Sequence, residues 1–386
     1  MDESTLPMET YQTGFIRWRA AESAFQGWAL NGVKLNTSAE LEFDAETASA
    51  GSDPYAAGTY NGRNYYNGGS FFAGEAISPE ILTAFNFKNA IASWNAATPE
   101  GSWLEIQLRA RYGVRWSKWY VLGIWAADST TIVRHSVKDQ KDLDGTVADD
   151  TFISSAENLT NTFQLKIRLF SADGNSRPSV KNIAVAYSIS IPKTATVSTG
   201  NPMLWNRCID VPKFSQMVYA DGGSVWCSPT STSMVLSAWE GYRGEPAPRV
   251  RAAVEGVYDW IYDGHGNWPF NTAYAATFDY EGYIARLTSL AKAEEFIAAG
   301  VPVIISIAWK KGELTNSGVD STNGHLVVLV GFDSDGNLLV NDPASPSDST
   351  VQHTYLRSEF EPLWLKASGG TVYLIYPEGT SVPKIP

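Results

Sequence analysis

The sequence predicts two domains of different class: an all-β sandwich or jelly roll over residues 1–192, and an α+β domain over residues 205–380, joined by a linker at 193–204. Three observations predict this. A chain of 386 residues exceeds one ordinary core. Period-two patterns run through the first half. Helical patterns begin only after residue 203 and are then followed by strands, an α+β order.

In the first half, WLEIQLRAR (103–111) sets Leu104, Ile106, Leu108 and Ala110 on one face and Glu105, Gln107, Arg109 and Arg111 on the other, as a half-buried strand requires. FQLKIRLF (163–170) repeats the alternation and VKNIAVAYSI (180–189) is a third run. Turn clusters such as SADGNSRP (171–178) and ATPEG (97–101) separate these strands, favouring a sandwich over βαβ units. The Trp-rich run RWSKWYVLGIW (115–125) reads as sandwich core rather than a ligand platform. IPKTATVSTGNPM (191–203) lacks large apolar residues and has a linker composition.

In the second half, PTSTSMVLSAW (229–239), RVRAAVEGVYDWIYD (249–263) and SLAKAEEFIAAG (289–300) predict helices. Val250, Val254, Val257, Tyr258 and Ile261 share one face of the second. VPVIISIAW (301–309), HLVVLVGFD (325–333), NLLVND (337–342) and TVYLIYP (371–377) predict strands.

Net charge −12 and a pI near 4.9 exclude nucleic acid or an anionic membrane as the main partner, since phosphate recognition needs a basic surface. No apolar run is long enough to span a bilayer. The acidic start, MDESTLPMETYQTG, shows no signal peptide. An extracellular or envelope location is the expectation, with the cytoplasm left open. The four His and two Cys show no zinc-ligand spacing and no phosphate loop is present, so no metal or cofactor is expected.

Two cysteines cannot build a disulfide framework. Cys227, in GGSVWCSPTSTSMVL, is a buried small residue, half of a disulfide, or a nucleophile. Pro229 suits the first turn of a helix, which puts the thiol at the helix's positive end, where a thiolate is favoured. His325 opens an apolar strand, and a hairpin through DSDG (333–336) would return Asp342 beside it. A carboxylate there can orient an imidazole base. Gln216, eleven residues before Cys227, can offer an amide to an oxyanion. Cys208 is expected to be a structural thiol, His265 an exposed loop residue, and His135 and His353 surface residues.

VPKFSQM, VWCSPTS, AAGVPVIISI, GHLVVLVGFD and NDPAS, in that order, resemble the papain-fold cysteine peptidases of the bacteriocin-leader-processing kind, family 39, in their stand-alone form without a transporter. The resemblance covers roughly residues 205–377 and implies a papain-like fold, a thioester mechanism and a protein or peptide substrate. By it, Cys227 is the nucleophile, His325 the general base, Asp342 the orienting acid and Gln216 the oxyanion donor. Ser228 departs from the Cys-Gly usual in the family. Asn341 competes with Asp342, because papain itself orients its histidine with an asparagine. The first half resembles, less specifically, galactose-binding-like jelly rolls, which implies a glycan or cell-surface ligand or simple packing against the catalytic half. Two other readings stay open: an amidase or endopeptidase acting on cell-wall peptides, and a non-catalytic glycan-binding or adhesion protein on a papain-like scaffold.

Overall fold

The computed structural model describes residues 11–155 and 159–385. The stretch 1–10, most of the segment inspected for a signal peptide, lies outside the described residues.

The first half is all β, in two antiparallel sheets. One runs in spatial order Gly145–Ala148, Thr151–Ser154, Asn89–Ala97, Ser179–Ser188, Leu41–Phe43, Val33–Leu35, and Thr13–Arg19 also pairs with Ser179–Ser188. The other is centred on Ser102–Tyr112 and Thr160–Ser171, which pair with Leu108 opposite Leu165, Ile106 opposite Ile167 and Leu104 opposite Leu169. The alternation seen in sequence therefore makes one inner face, where all six of these side chains are fully buried.

The outer face is less simple than alternation suggests. Glu105 is buried because Tyr66 donates to it at 2.7 Å and Arg168 pairs with it, under a loop that caps the sheet. Tyr120 and Trp125 are core, as expected of the Trp-rich run. Trp116 and Trp119 are not: they are half-buried and hold the Arg109 guanidinium 4.6 and 4.5 Å from their rings.

The second half is α+β. Among the described residues five helices, α1 (Cys227–Trp239), α2 (Pro246–Val257), α3 (Trp268–Ala276), α4 (Leu290–Ala298) and α5 (Arg357–Ser368), cover an antiparallel sheet. Its strand order is Tyr280–Arg286, Thr371–Pro377, Val303–Trp309, Thr322–Phe332, Leu338–Asn341, Gln352–Tyr355, and Arg207–Cys208 pairs with Thr322–Phe332. Val303, Ile305, Val327 and Leu329 face one core with Leu290, Phe296 and Trp364 of α4 and α5. Ile304, Val328 and Val330 face another with Met234 and Val235 of α1. Both faces being covered explains the unbroken apolar runs.

Three differences from the sequence reading concern the site. Helix α2 ends at Val257 instead of continuing to 263, because the Asp259 carboxylate takes the N–H groups of Ile261 and Tyr262, both at 3.0 Å, and folds the chain into a turn. The strand holding His325 starts three residues earlier, at Thr322. The 193–204 segment is docked: Ser198 N–H donates to Glu361 at 2.8 Å and Asn201 N–H to Glu294 at 2.8 Å.

The two halves pack together directly. Phe270 of α3 enters the sandwich core, its ring centroid 5.4 Å from that of Trp125 and 6.2 Å from that of Trp94. Gly123 leaves room for it, since a Cβ there would lie 3.2 Å from the Phe270 ring. The Asn95 side-chain amide donates to the Gly282 carbonyl at 2.8 Å, and Arg17 and Arg19 both pair with the buried Glu281.

Candidate active site

Cys227 is the first residue of α1, with Trp226 as N-cap and Pro229 in the first turn. The turn that delivers it needs Gly223, because a Cβ there would fall 1.9 Å from the Gln216 carbonyl oxygen. The half-buried thiol interacts with the His325 imidazole and with the N–H groups of Leu326 and Ser228. Burial raises the pKa of a thiol, but His325 outweighs it, and the Cys227 pKa falls below the usual thiol value.

His325 is 4% exposed, and its Nε2 lies 2.7 Å from Asp342 Oδ1. With Nε2 committed to Asp342, Nδ1 is the nitrogen left to face the thiol. Burial disfavours the imidazolium, yet the attraction of Asp342 overrides it and the His325 pKa rises. Burial also opposes ionisation of Asp342, and His325, the Tyr355 hydroxyl and the Ala344 N–H together hold its pKa down. Tyr355 donates to Asp342 Oδ2 at 2.6 Å and Ala344 N–H to Oδ1 at 2.9 Å. All three directions favour a thiolate beside an imidazolium that a carboxylate supports.

Asn341 points away. Its amide donates to the carbonyls of Val211 and Pro212, at 3.2 and 3.4 Å, and ties down the segment leading to Gln216. Gln216 is 2% exposed and spends one N–H on the Gly223 carbonyl at 2.7 Å, leaving a second N–H on Nε2. Ser228 is fully buried, with its Oγ 2.8 Å from the Tyr373 hydroxyl. The Ser228 hydroxyl thus anchors the helix entry to strand Thr371–Pro377.

The sequence reading missed several neighbours. Tyr355 completes the hydrogen-bonded line through Asp342 to His325, and Trp309 packs edge-on to His325 at 5.6 Å. Strand alternation in QHTY (352–355) was the one available signal for Tyr355. Two histidine expectations fail, those for His265 and His135. His265 is not an exposed loop residue: it is 9% exposed, edge-on to Trp226 at 6.2 Å, with its pKa pulled down to about 4 by burial. His135 is 1% exposed, and its two ring nitrogens lie 2.8 Å from the carbonyls of Ser136 and Tyr65. His353 is half-buried, bonded to Ser345 and Asn316 at 2.7 Å each. Cys208 is exposed on a two-residue edge strand, with burial of its surroundings raising its pKa. Among the described residues no three His, Cys, Asp or Glu side chains cluster as a metal site would require, and no helix is long and apolar enough to cross a membrane.

Two family models match the chain. Residues 15–188 match the peptidase C39 N-terminal domain, and residues 208–372 match the peptidase C39-like family. No curated protein matches.

Proposed function

Because the chain joins a peptidase C39 N-terminal domain to a papain-like domain of the peptidase C39-like family, we propose that it hydrolyses peptide bonds with Cys227 as nucleophile, His325 as base and acid, and Asp342 as the group orienting His325. The observation that carries this is the continuous line Tyr355, Asp342, His325, Cys227 in a site where the thiol's pKa is lowered.

The Cys227 thiolate attacks the scissile carbonyl carbon, and the carbonyl π electrons pass to oxygen. The Cys227 N–H, in the first turn of α1 where no earlier carbonyl of the helix takes it, and the second N–H of Gln216 Nε2 meet that oxyanion. Collapse expels the amine, which takes the proton from His325 Nδ1, and leaves an acyl thioester on Sγ. Neutral His325 then removes a proton from water. The hydroxide adds to the thioester, the acid departs and the thiolate is restored. Asp342 holds the imidazole in one tautomer throughout without taking a proton.

The test is hydrolysis of casein and of a peptide library, followed by mass spectrometry, with Cys227→Ala alongside. Cleavage that the variant abolishes, with an acyl adduct on Cys227 in rapid quench, supports the reading. If Cys227 reacts with iodoacetamide no faster than Cys208 across pH 5–8, the activated thiol is refuted. Peptidoglycan digested in parallel, with casein left whole, would move the substrate to cell-wall peptides.

A further inference from the structure

The loop between α2 and α3, with the helix ends that flank it, is tied both to itself and to the other domain. Asp259, fully buried, is its hub: Oδ1 accepts from Ile261 and Tyr262 N–H of the loop and from the Ser136 N–H of the sandwich, all at 3.0 Å, and Oδ2 accepts from Asn267 Nδ2 at 2.9 Å. Four more contacts come from the sandwich. Asp150 Oδ2 accepts the Trp268 N–H at 2.8 Å, Arg134 donates to the Glu255 carbonyl at 2.8 Å, the Arg134 carbonyl accepts from Trp260 N–H at 3.2 Å, and Arg63 stacks 3.9 Å over the Trp260 ring.

That same loop borders the nucleophile. His265 lies against Trp226, the residue before Cys227, and its Nδ1 is buried with no hydrogen-bond partner. Asn271 donates to the His265 carbonyl at 3.0 Å and bonds Thr232 of α1 at 3.3 Å, so the far side of the loop is fixed to the nucleophile's own helix. Tyr262 is 42% exposed, and its side chain lies over Gly264 and Gly266, the two glycines that flank His265: a Cβ on them would fall 2.8 and 3.3 Å from it. An exposed ring and hydroxyl around the histidine that packs on the nucleophile's N-cap residue, on a loop fixed at both ends, has the form of a binding subsite.

We infer that the N-terminal sandwich is a working part of the cleft: it positions the loop between α2 and α3, on which Tyr262 is a specificity-determining residue that contacts peptide beside Cys227. Asp150 and Asp259 are positioning residues acting through that loop. The inference rests on the peptidase reading above and adds to it that the peptide is selected by a surface both domains build.

Small and peptide-sized reagents separate the two ideas. Iodoacetamide reports the thiol alone, whereas a dipeptidyl chloromethyl ketone must also seat its peptide. In the full chain, Asp150→Ala is expected to keep the iodoacetamide rate within about twofold while slowing the dipeptidyl ketone about tenfold or more, as a misplaced binding wall does. Asp150→Asn, which keeps an acceptor for Trp268 N–H, restores the ketone rate. Tyr262→Ala slows the ketone about tenfold through weaker binding and not through a slower maximal rate. Equal loss with both reagents in Asp150→Ala, or no loss with either, overturns the inference while the peptidase reading stands. A wild-type Cys227 that reacts with the dipeptidyl ketone no faster than with a chloroketone lacking the peptide overturns both.

Discussion

Asp342→Asn is the sharpest test of the electrostatics of the site. The carboxylate faces three donors: His325 Nε2 at 2.7 Å and Ala344 N–H at 2.9 Å on Oδ1, and the Tyr355 hydroxyl at 2.6 Å on Oδ2. An asparagine has one oxygen. It can keep His325 and Ala344 only by turning its NH₂ toward Tyr355, whose hydroxyl must then accept. The imidazole stays oriented but loses its counter-charge. With charge centres about 4 Å apart and an effective dielectric near 20, that attraction is about 4 kcal/mol. The surviving hydrogen bond offsets part of it, so the net loss should be near that of one charge-assisted bond, about 1.5–3 kcal/mol. In kcat/KM this is about 10–100-fold. The direction in pH is also fixed: without Asp342 the imidazolium gives up its proton at lower pH and the thiolate forms at higher pH, so the bell narrows from both sides. Measuring kcat/KM from pH 4 to 10, beside the iodoacetamide profile, checks this. An unchanged bell and a rate within about twofold of wild type would refute the ion-pair account. The pair also stabilises the fold. Asp342, with its pKa lowered, contributes above its unfolded value of about 3.9 and loses this as pH falls; His325, with its pKa raised, contributes fully below about 6.5 and loses this as pH rises. The variant's deficit in thermal midpoint should therefore be greatest between pH ~4 and ~6.5.

Other perturbations have equally definite outcomes. Phe270→Ala empties a site between Trp94 and Trp125 that is fully buried, and should cost about 3–5 kcal/mol in a denaturant midpoint; a loss below about 1 kcal/mol would mean the sandwich core closes without α3. Asp150 is buried, and desolvation pushes its carboxyl to about 7, so the fold gains most from it when protonated and loses as pH rises from about 4 through about 7. Asp150→Asn should flatten this part of the stability curve, by up to about 4 kcal/mol at pH 8, with no change at pH 4; equal effects at both values would contradict the shift. Ser228→Ala leaves the buried Tyr373 hydroxyl without its partner at 2.8 Å and should cost about 1–3 kcal/mol in thermal unfolding, whereas Ser228→Gly adds helix-entry freedom to the same loss. A Ser228→Ala protein as stable as wild type would show that Ser228 is not the anchor of the helix entry.

What could be read from the sequence depended on how locally each feature is determined. The strands 103–111 and 163–170 were legible because one face of each is core, and period two records that directly. The continuous runs 301–309 and 325–333 were legible as fully buried strands, since helices cover both faces. Cys227 stood out through Pro229 and its position, His325 and Asp342 through one hairpin. Tyr355 had only the alternation of QHTY, and Trp309 no mark, among 18 Tyr and 14 Trp, because their role arises from the register that sets Leu338 opposite Tyr355 and Ile307 opposite His325. His135 and His265 failed for a related reason: a polar ring in a loop sequence says nothing of which distant residues, Tyr65 for one and Trp226 for the other, pack against it. Helix α3 was missed because WPFNTAYAA has no single apolar face; Phe270 serves the sandwich core and Ala275 the core beside α1. The over-long α2 makes the same point more strongly. Residues 249–263 hold a sound helical pattern, and it is broken at 258 by a carboxylate whose partners include Ser136 of the sandwich, more than a hundred residues earlier. Local preference yields there to an interdomain bond. The segment that yields is the one carrying Tyr262 and His265 toward the nucleophile, which is why the place where helical periodicity fails is also where the cleft wall is built.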